Sequence, residues 1–556
     1  MNVRTRWSRA LLLIGTASVV AATSCGNSDN ENSDTAPPSS PLASALSTIS
    51  ETADSVATPA APDDGLVATY TSDGEVDPDG TARIAYHLTP TSLDPLGPSV
   101  HQVQSYLWPI YDGLLRLSPT LDVEPMLATE WSFTADGLGL NLKLRDDVVF
   151  HDGSRFDGET VKVNIERQLA ANESPIRSFL ANVTGVTVNS PYDVTINLSE
   201  PDASLPVVLA HRPGLMISPK AIAEGANLDE TDGGSGPYRM ASAAIGDRVT
   251  YERFDDYWGE PAGTKGLQIF GVNDGQARVN GVISGEFDMA YLTPSQLQQA
   301  TNGGLDVVAQ DTTWYIQLFQ NRAHSNLDDL RVRRAVAHAI DRTAICAVIY
   351  AGECEPTSSI LPQGYWAQDP SITPDYFRFD PDLARELLQD SGHVGQTISI
   401  AFPAASDPYP QFAELLQAQL NDVGFDVSVV PADINSLGDV YQVKQSVDML
   451  LAGGGQHADP ALMLANQFTS TATQNPSKMV PQGLDELVAE ARAAVDPDDR
   501  RKVMHEVTRL IAEEVVDLPL VAPKVLFAIH PDRIASYTPT RLGAYLSPRS
   551  VTVHPG

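Results

Sequence analysis

Asp329-Leu330-Arg331-Val332-Arg333-Arg334-Ala335-Val336-Ala337-His338-Ala339-Ile340-Asp341-Arg342 is the stretch on which the fold turns. Asp328 and Asp329 supply capping carboxylates, and Val332, Val336 and Ile340 recur at helical spacing, so a helix with one apolar face is expected. Arg331, Arg333 and Arg334 fall between those positions and are expected to form its solvated face. His338, in the same helix with no partner pattern, reads as structural. Downstream, Leu383, Leu387 and Leu388 mark a second helix with Gly392 close behind its end. Phe412, Leu415, Leu416 and Leu420 mark a third, closed by Gly424 before the strand Phe425-Asp426-Val427-Ser428-Val429. Upstream, Arg83-Ile84-Ala85-Tyr86 reads as a first strand, and Leu140, Leu142 and Leu144 alternate with polar residues. Val186 and Val188, then Val194, Ile196 and Leu198, flank the turn residues Asn189 to Asp193 as a hairpin. Between these strands, Gly158-Glu159-Thr160 leads into a helix carrying Val161, Ile165 and Leu169. Helices alternating with strands through glycine turns define the α/β class.

The chain has 556 residues, too many for one ordinary core, so two or three lobes are expected. A net charge of −35 repels phosphate backbones and argues against nucleic acid as a partner. Catalytic patterns fail where they begin. Ser235 lies between Gly234 and Gly236, but Pro237 breaks the Gly-x-Ser-x-Gly elbow. No Gly-x4-Gly-Lys-Ser/Thr loop is present, so any ATPase must be another subunit. His151-Asp152-Gly153 reads as a turn after a strand rather than a metal site. No enzyme activity, cofactor or metal is expected. Cys346 and Cys354, eight residues apart, are expected to close a small disulfide loop, with two free thiols as the alternative.

The N-terminus carries an address. Arg4, Arg6 and Arg9 precede the apolar run Ala10 to Ala22, which is shorter than the roughly 20 residues that span a bilayer. Residues 1–24 read as a secretory signal peptide with small residues Ala22-Thr23-Ser24 at the break. Cys25 follows, and the arrangement resembles the lipobox of bacterial lipoproteins, although Ala22 stands where Leu is usual. Cleavage there implies lipidation of Cys25 and a chain held at the outer face of the cell membrane. Residues 25–82 are acidic, contain no Lys or Arg and are rich in Pro, Ser, Thr and Ala. They are expected to be a disordered tether.

Several strings, in order, carry a wider resemblance: Ser92-Leu93-Asp94-Pro95, Ile110-Tyr111-Asp112-Gly113-Leu114-Leu115, Pro125-Met126-Leu127-Ala128 with Trp131, and Leu144-Arg145-Asp146-Asp147 running to His151-Asp152-Gly153. Gly236-Pro237-Tyr238, Asp256-Tyr257-Trp258-Gly259, Gly285-Glu286-Phe287-Asp288, the 329–342 stretch, Phe379-Asp380-Pro381 and Asp459-Pro460 follow. From about residue 83 to 530 the chain resembles the family 5 extracellular solute-binding proteins of ABC importers, the oligopeptide-, dipeptide- and nickel-binding group. The resemblance implies a two-lobe periplasmic-binding-protein-like fold with a hinge and an extra inserted domain. Lobe 1 would comprise 83–112, 232–325 and 526–556, the inserted domain 113–231 and lobe 2 residues 326–525. It implies a monomer that closes on a peptide or other small solute and hands it to ABC permease and ATPase subunits, the lipid anchor keeping it near them.

The resemblance also locates a ligand segment, and there the sequence departs from the peptide binders. These typically carry Gly-Trp followed by an aspartate that pairs with the peptide ammonium. Here the segment is Ala452-Gly453-Gly454-Gly455-Gln456-His457-Ala458-Asp459-Pro460, with no tryptophan and no acid before Asp459. Asp459 is expected to cap the next helix. Gly453, Gly454 and Gly455 would open the pocket or let ligand backbone approach, and Gln456 and His457 could bond a neutral or anionic ligand. Trp108 and Tyr111, Trp314 and Tyr315, and Tyr365 and Trp366 are the aromatic candidates for the cleft. A non-peptide solute binder or a ligand sensor on the same fold is the alternative function.

Overall fold

The computed structural model describes residues 67–97, 103–172, 174–455 and 459–556. Cys25 and the signal segment lie outside the described residues, as do Gln456 and His457. No described helix is long and apolar enough to cross a membrane.

Two sheets dominate. The first has seven strands, in spatial order Asp306–Gln310, Val525–Ile529, Met289–Leu292, Thr81–Tyr86, Gly266–Gly271, Arg248–Arg253 and Tyr238–Ala244. Thr81–Tyr86 runs parallel to both of its neighbours, and its centre, Ala82, Ile84 and Tyr86, is fully buried. The second sheet has six strands, Cys354–Pro356, Leu518–Pro523, Tyr315–Gln320, Met449–Gly454, Thr397–Pro403 and Asp426–Ala432. Both of its faces are covered. Ile316, Leu318, Met449, Leu451, Leu518 and Leu520 pack against Val332, Val336, Leu388, Phe412 and Leu416 on one side. Tyr315 packs on the other side with Met463, Leu464, Val488, Met504 and Val507. A smaller body, a four-stranded sheet with a two-stranded hairpin, is built from residues between Leu115 and Leu198 around Leu140, Leu142, Val161 and Ile196.

Local chemistry accounts for the elements. The helix Leu330–Ala339 starts at Asp329, whose side chain accepts from Arg331 N, and buries Val332, Ala335 and Val336. Gly158–Ala170 starts from a reciprocal capping box between Asp157 and Thr160. Pro381–Ser391 is capped by Asp380 and ends at Gly392. Cys346 and Cys354 are joined by a disulfide, their Cα atoms 5.4 Å apart.

Four expectations need correction. Folded structure begins before residue 83: Tyr70–Thr71 pairs with Tyr537 and Ser536, Ala68 N donates to Gln310 Oε1, and Ser72 Oγ donates to Ile534 O. Main-chain pairing to an edge strand orders this segment without a core of its own, which composition cannot reveal. Tyr315–Gln320 belongs to the second lobe's sheet, so the first crossing between lobes lies between Gln310 and Tyr315, not at 325. The second crossing is a single residue, Lys524, between Leu518–Pro523 and Val525–Ile529, which puts Val525 in the first lobe. Finally, Arg331 and Arg334 are exposed, but Arg333 is 4% exposed. Its guanidinium donates to Leu327 O and Asp328 O, both at 2.9 Å, and to Glu514 O at 2.6 Å, tying the helix to the chain that enters Leu518–Pro523.

Candidate functional site

The crossings fix where the lobes meet. Val525 pairs with Gln310 and Tyr315 with Gly454, so these strand ends face the junction. Contacts span it on several sides. Ser295 Oγ donates to Asp407 Oδ2 at 2.7 Å. Ala203 N donates to Arg492 O at 2.7 Å, and Arg492 Nη2 to Asp202 Oδ2 at 2.9 Å. Thr313 N, in the first crossing, donates to Arg541 O at 2.9 Å, and on the first lobe's side of the junction Arg541 N donates to Pro119 O at 3.1 Å. The lobes are therefore drawn together around the ends of their strands.

The three glycines serve the chain's own packing. A Cβ on Gly453 would collide with Trp314 Nε1. One on Gly454 would strike the Gln317 amide and lie 2.9 Å from Tyr315 Cζ. Gly455 has φ +78°, and a Cβ there would meet Thr313 O and lie 2.7 Å from the Tyr315 ring. Trp314, Tyr315 and Gln317 thus fill the space that an open pocket or an approaching ligand backbone was expected to use. Beneath them Asp517 is 1% exposed, and burial holds its carboxyl well above the usual range. Tyr315 bonds to it, and the Gln317 amide, turned with its nitrogen toward the carboxyl, donates to Oδ1 at 2.8 Å.

Asp459 is used internally as well. Its Oδ1 accepts from Ala461 N at 2.9 Å and caps the helix Pro460–Gln467, while Arg500 Nη2 reaches both carboxylate oxygens at 2.9 and 2.8 Å. Arg500 also stacks 5.5 Å from the Trp366 ring centroid. Neither acid beside the glycine segment is therefore free to meet a ligand ammonium.

The aromatic candidates divide. Trp314 is half-buried against the second lobe's core, and its Nε1 is buried without a hydrogen-bond partner. Tyr365 and Trp366, with centroids 5.8 Å apart, are half-buried on the other face of that lobe. Burial pushes the Tyr365 phenol up, and the charges of Asp459, Arg500 and Arg541 act on it. Trp108 is half-buried 5.6 Å from Tyr545 and joins Leu121 and Leu542 in a small apolar cluster. Tyr111, by contrast, is 1% exposed in the first lobe's core.

Arg541 connects these pieces and was missed in the sequence. It is 8% exposed, its backbone bonds both Thr313 and Pro119, and its charge acts on Tyr365. One signal pointed to it: after Asp532 the chain contains Arg533, Arg541 and Arg549 and no acid, inside a strongly acidic protein.

The recurring strings elsewhere are structural. Asp112 is fully buried and accepts from Trp258 Nε1 at 2.8 Å, Arg549 Nη1 at 2.9 Å, Tyr257 Oη at 3.1 Å and Ser235 Oγ at 3.2 Å. That network explains three of the motif residues at once, Asp112, Tyr257 and Trp258. Both His151 nitrogens are engaged, by Asp232 Oδ1 at 2.7 Å and Gly236 O at 2.8 Å.

Two α/β lobes crossed twice by the chain, with Trp314 in the first crossing, define a hinged solute-binding protein. The chain belongs to the bacterial extracellular solute-binding proteins, family 5, matched over residues 122–476, and is a substrate-binding protein of the ABC-transporter type. It is 26% identical over 457 residues to the glutathione-binding protein GsiB of Escherichia coli K12, covering 79% of this chain and 88% of that protein. Among solved structures, NikA from Brucella suis in complex with Fe(III)-EDTA has a TM-score of 0.77 at 22% identity, covering 85% of this chain and all of that one. DppA from Helicobacter pylori in complex with the peptide STSA has a TM-score of 0.72 at 20% identity, covering 86% of this chain and 98% of that one.

Proposed function

We propose that this protein captures a peptide or peptide-sized solute by closing its lobes, and delivers it as a monomer to an ABC permease from a lipid anchor on Cys25. The observation that carries the reading is the double crossing at Gln310–Tyr315 and Pro523–Val525, which lets two separately packed sheets hinge about short segments. Closure can be worth no more than the ligand's preference for the closed form. Trp314, Tyr365, Trp366 and Trp108 would line the enclosed space, and Gln456 and His457 would bond the ligand. The resemblance to GsiB makes glutathione the first defined peptide to try.

Native mass spectrometry of protein purified from its own host tests this reading. A co-purified set of peptides supports it, and a single sugar or metal chelate excludes it. Cys25→Ser is expected to move the protein from the membrane fraction to the soluble one, and continued membrane association would refute the anchor. One observation favours the second reading, a non-peptide solute on the same fold: Asp459 and Asp517 are both engaged internally, which leaves a peptide ammonium without the usual partner.

A further inference from the structure

Most buried arginines among the described residues have several acceptors for the side chain, although Arg342 Nη2 and Arg492 Nε are each left without one. Arg212 donates to Pro95 O and Gly97 O, and Arg278 to Tyr291 O, Val272 O and Asn273 O. Arg342 donates to Thr357 O, Ala337 O and Phe377 O. Arg500 has Asp459 and Arg549 has Asp112. At the lobe junction Arg492 still pairs with Asp202 through Nη2, whereas Arg541 has no such pair among the described residues. Arg541 is 8% exposed, its Nε is buried without a hydrogen-bond partner, and no carboxylate pairs with it among the described residues. Evicting a guanidinium from water without a partner is unfavourable, so a site that keeps one is completed by something else.

Two orphans on the chain segment that pairs with the Arg541 backbone have the same polarity. Thr313, whose N–H bonds Arg541 O, has a buried Oγ1 without a partner. Trp314, the next residue, has a buried Nε1–H without a partner. An indole N–H and a guanidinium only donate, and a hydroxyl can donate. A carboxylate offers about four acceptor positions to such a set, whereas an ammonium would be repelled.

Resting on the reading that solute binds between the lobes, we propose that Arg541, with Thr313 and Trp314, forms an anchor for a carboxylate on the solute. This site reads the anionic end of the ligand and needs no free α-amino group. A peptide C-terminus and the carboxylate of a small organic acid present the same chemistry to it.

The test uses full-length protein carrying Cys25→Ser and three tripeptide pools: free acid, C-terminally amidated and N-acetylated free acid. A fourth pool contains small mono- and dicarboxylic acids. Binding is read by native mass spectrometry and calorimetry on wild type, Arg541→Gln and Arg541→Lys. Both acid-terminated tripeptide pools are expected to bind and the amidated pool to bind about 30-fold more weakly, the scale of one charge-assisted hydrogen bond. Arg541→Gln should erase that difference, and Arg541→Lys should restore part of it. The ligand-free melting temperature of Arg541→Gln should not fall, since the change removes an unpaired charge; a purely structural arginine would lower it. Amidated peptides binding as well as acids would overturn the anchor while leaving peptide capture intact. Arg541-dependent binding of the organic acids alone would keep the anchor and overturn peptide capture. No binding by any carboxylate pool would overturn both.

Discussion

Asp459→Asn separates the two roles that a carboxylate at this position can have. Asp459 is 1% exposed and accepts two hydrogen bonds from Arg500, whose own side chain is only 11% exposed. Asparagine caps a helix about as well as aspartate, so the bonds to Ala461 N and Leu462 N survive while the ion pair is lost. Breaking one side of a buried pair costs about 3–5 kcal/mol, because the remaining charge is left uncompensated. Asp459→Ala should cost about 1 kcal/mol more, the usual value of an N-cap. Arg500→Met should rescue much of the Asp459→Asn loss, since the pair is then removed together. Urea unfolding followed by tryptophan fluorescence reads all four proteins, because Trp366 lies against Arg500. Solute affinity measured in the native baseline should change less than threefold, by a rough limit for a residue that touches no ligand. An Asp459→Asn protein as stable as wild type but unable to bind solute would refute the structural role and make Asp459 a ligand anchor.

Burial raises the Asp517 carboxyl above its unfolded value, so the unfolded chain binds fewer protons than the folded one between the two values. Its contribution to stability is complete below about pH 4 and is lost as pH climbs through the raised value. Asp517→Asn should flatten that decline in a pH series of urea midpoints, and an unchanged slope would contradict it. The disulfide spans eight residues and closes a loop worth about 2.5 kcal/mol by chain entropy, so Cys346→Ser with Cys354→Ser should lower stability by up to that amount. Gly455→Ala forces a left-handed backbone on alanine and drives Cβ onto Thr313 O, so a loss of about 2 kcal/mol or more is expected in thermal unfolding.

Much of the architecture was legible because local signals agreed with the global fold. Asp329 marks a helix start by capping chemistry, and alternation marks Gly139–Leu144 and Asp193–Leu198 as strands. What failed was whatever depends on a distant partner. Arg333 looks like a surface residue until Glu514 O is brought opposite it. Residues 67–82 look like a linker until Tyr537 offers an edge. Tyr315–Gln320 is buried along its whole length, so nothing in its pattern marks a lobe boundary. Of the aromatic candidates, Trp314, Tyr365 and Trp108 are half-buried, whereas Tyr111, chosen by the same reasoning, is core. The glycines were read as space for ligand, but Trp314 and Gln317 occupy it. Arg541 was hinted at by the acid-free stretch after Asp532, but only its unsatisfied burial singles it out.

Lobe closure around solute is tested most directly by a distance across the junction. Gln298 and Glu414 are exposed on the first and second lobes, beside the Ser295–Asp407 contact. Spin labels on Gln298→Cys and Glu414→Cys, in the Cys25→Ser chain, report their separation by double electron–electron resonance. Protein stripped of solute by mild denaturation and refolding should show a longer or broader distance, collapsing to one short distance when the co-purified solute is returned. A single distance unaffected by solute, at concentrations where calorimetry shows the site filled, would contradict capture by closure.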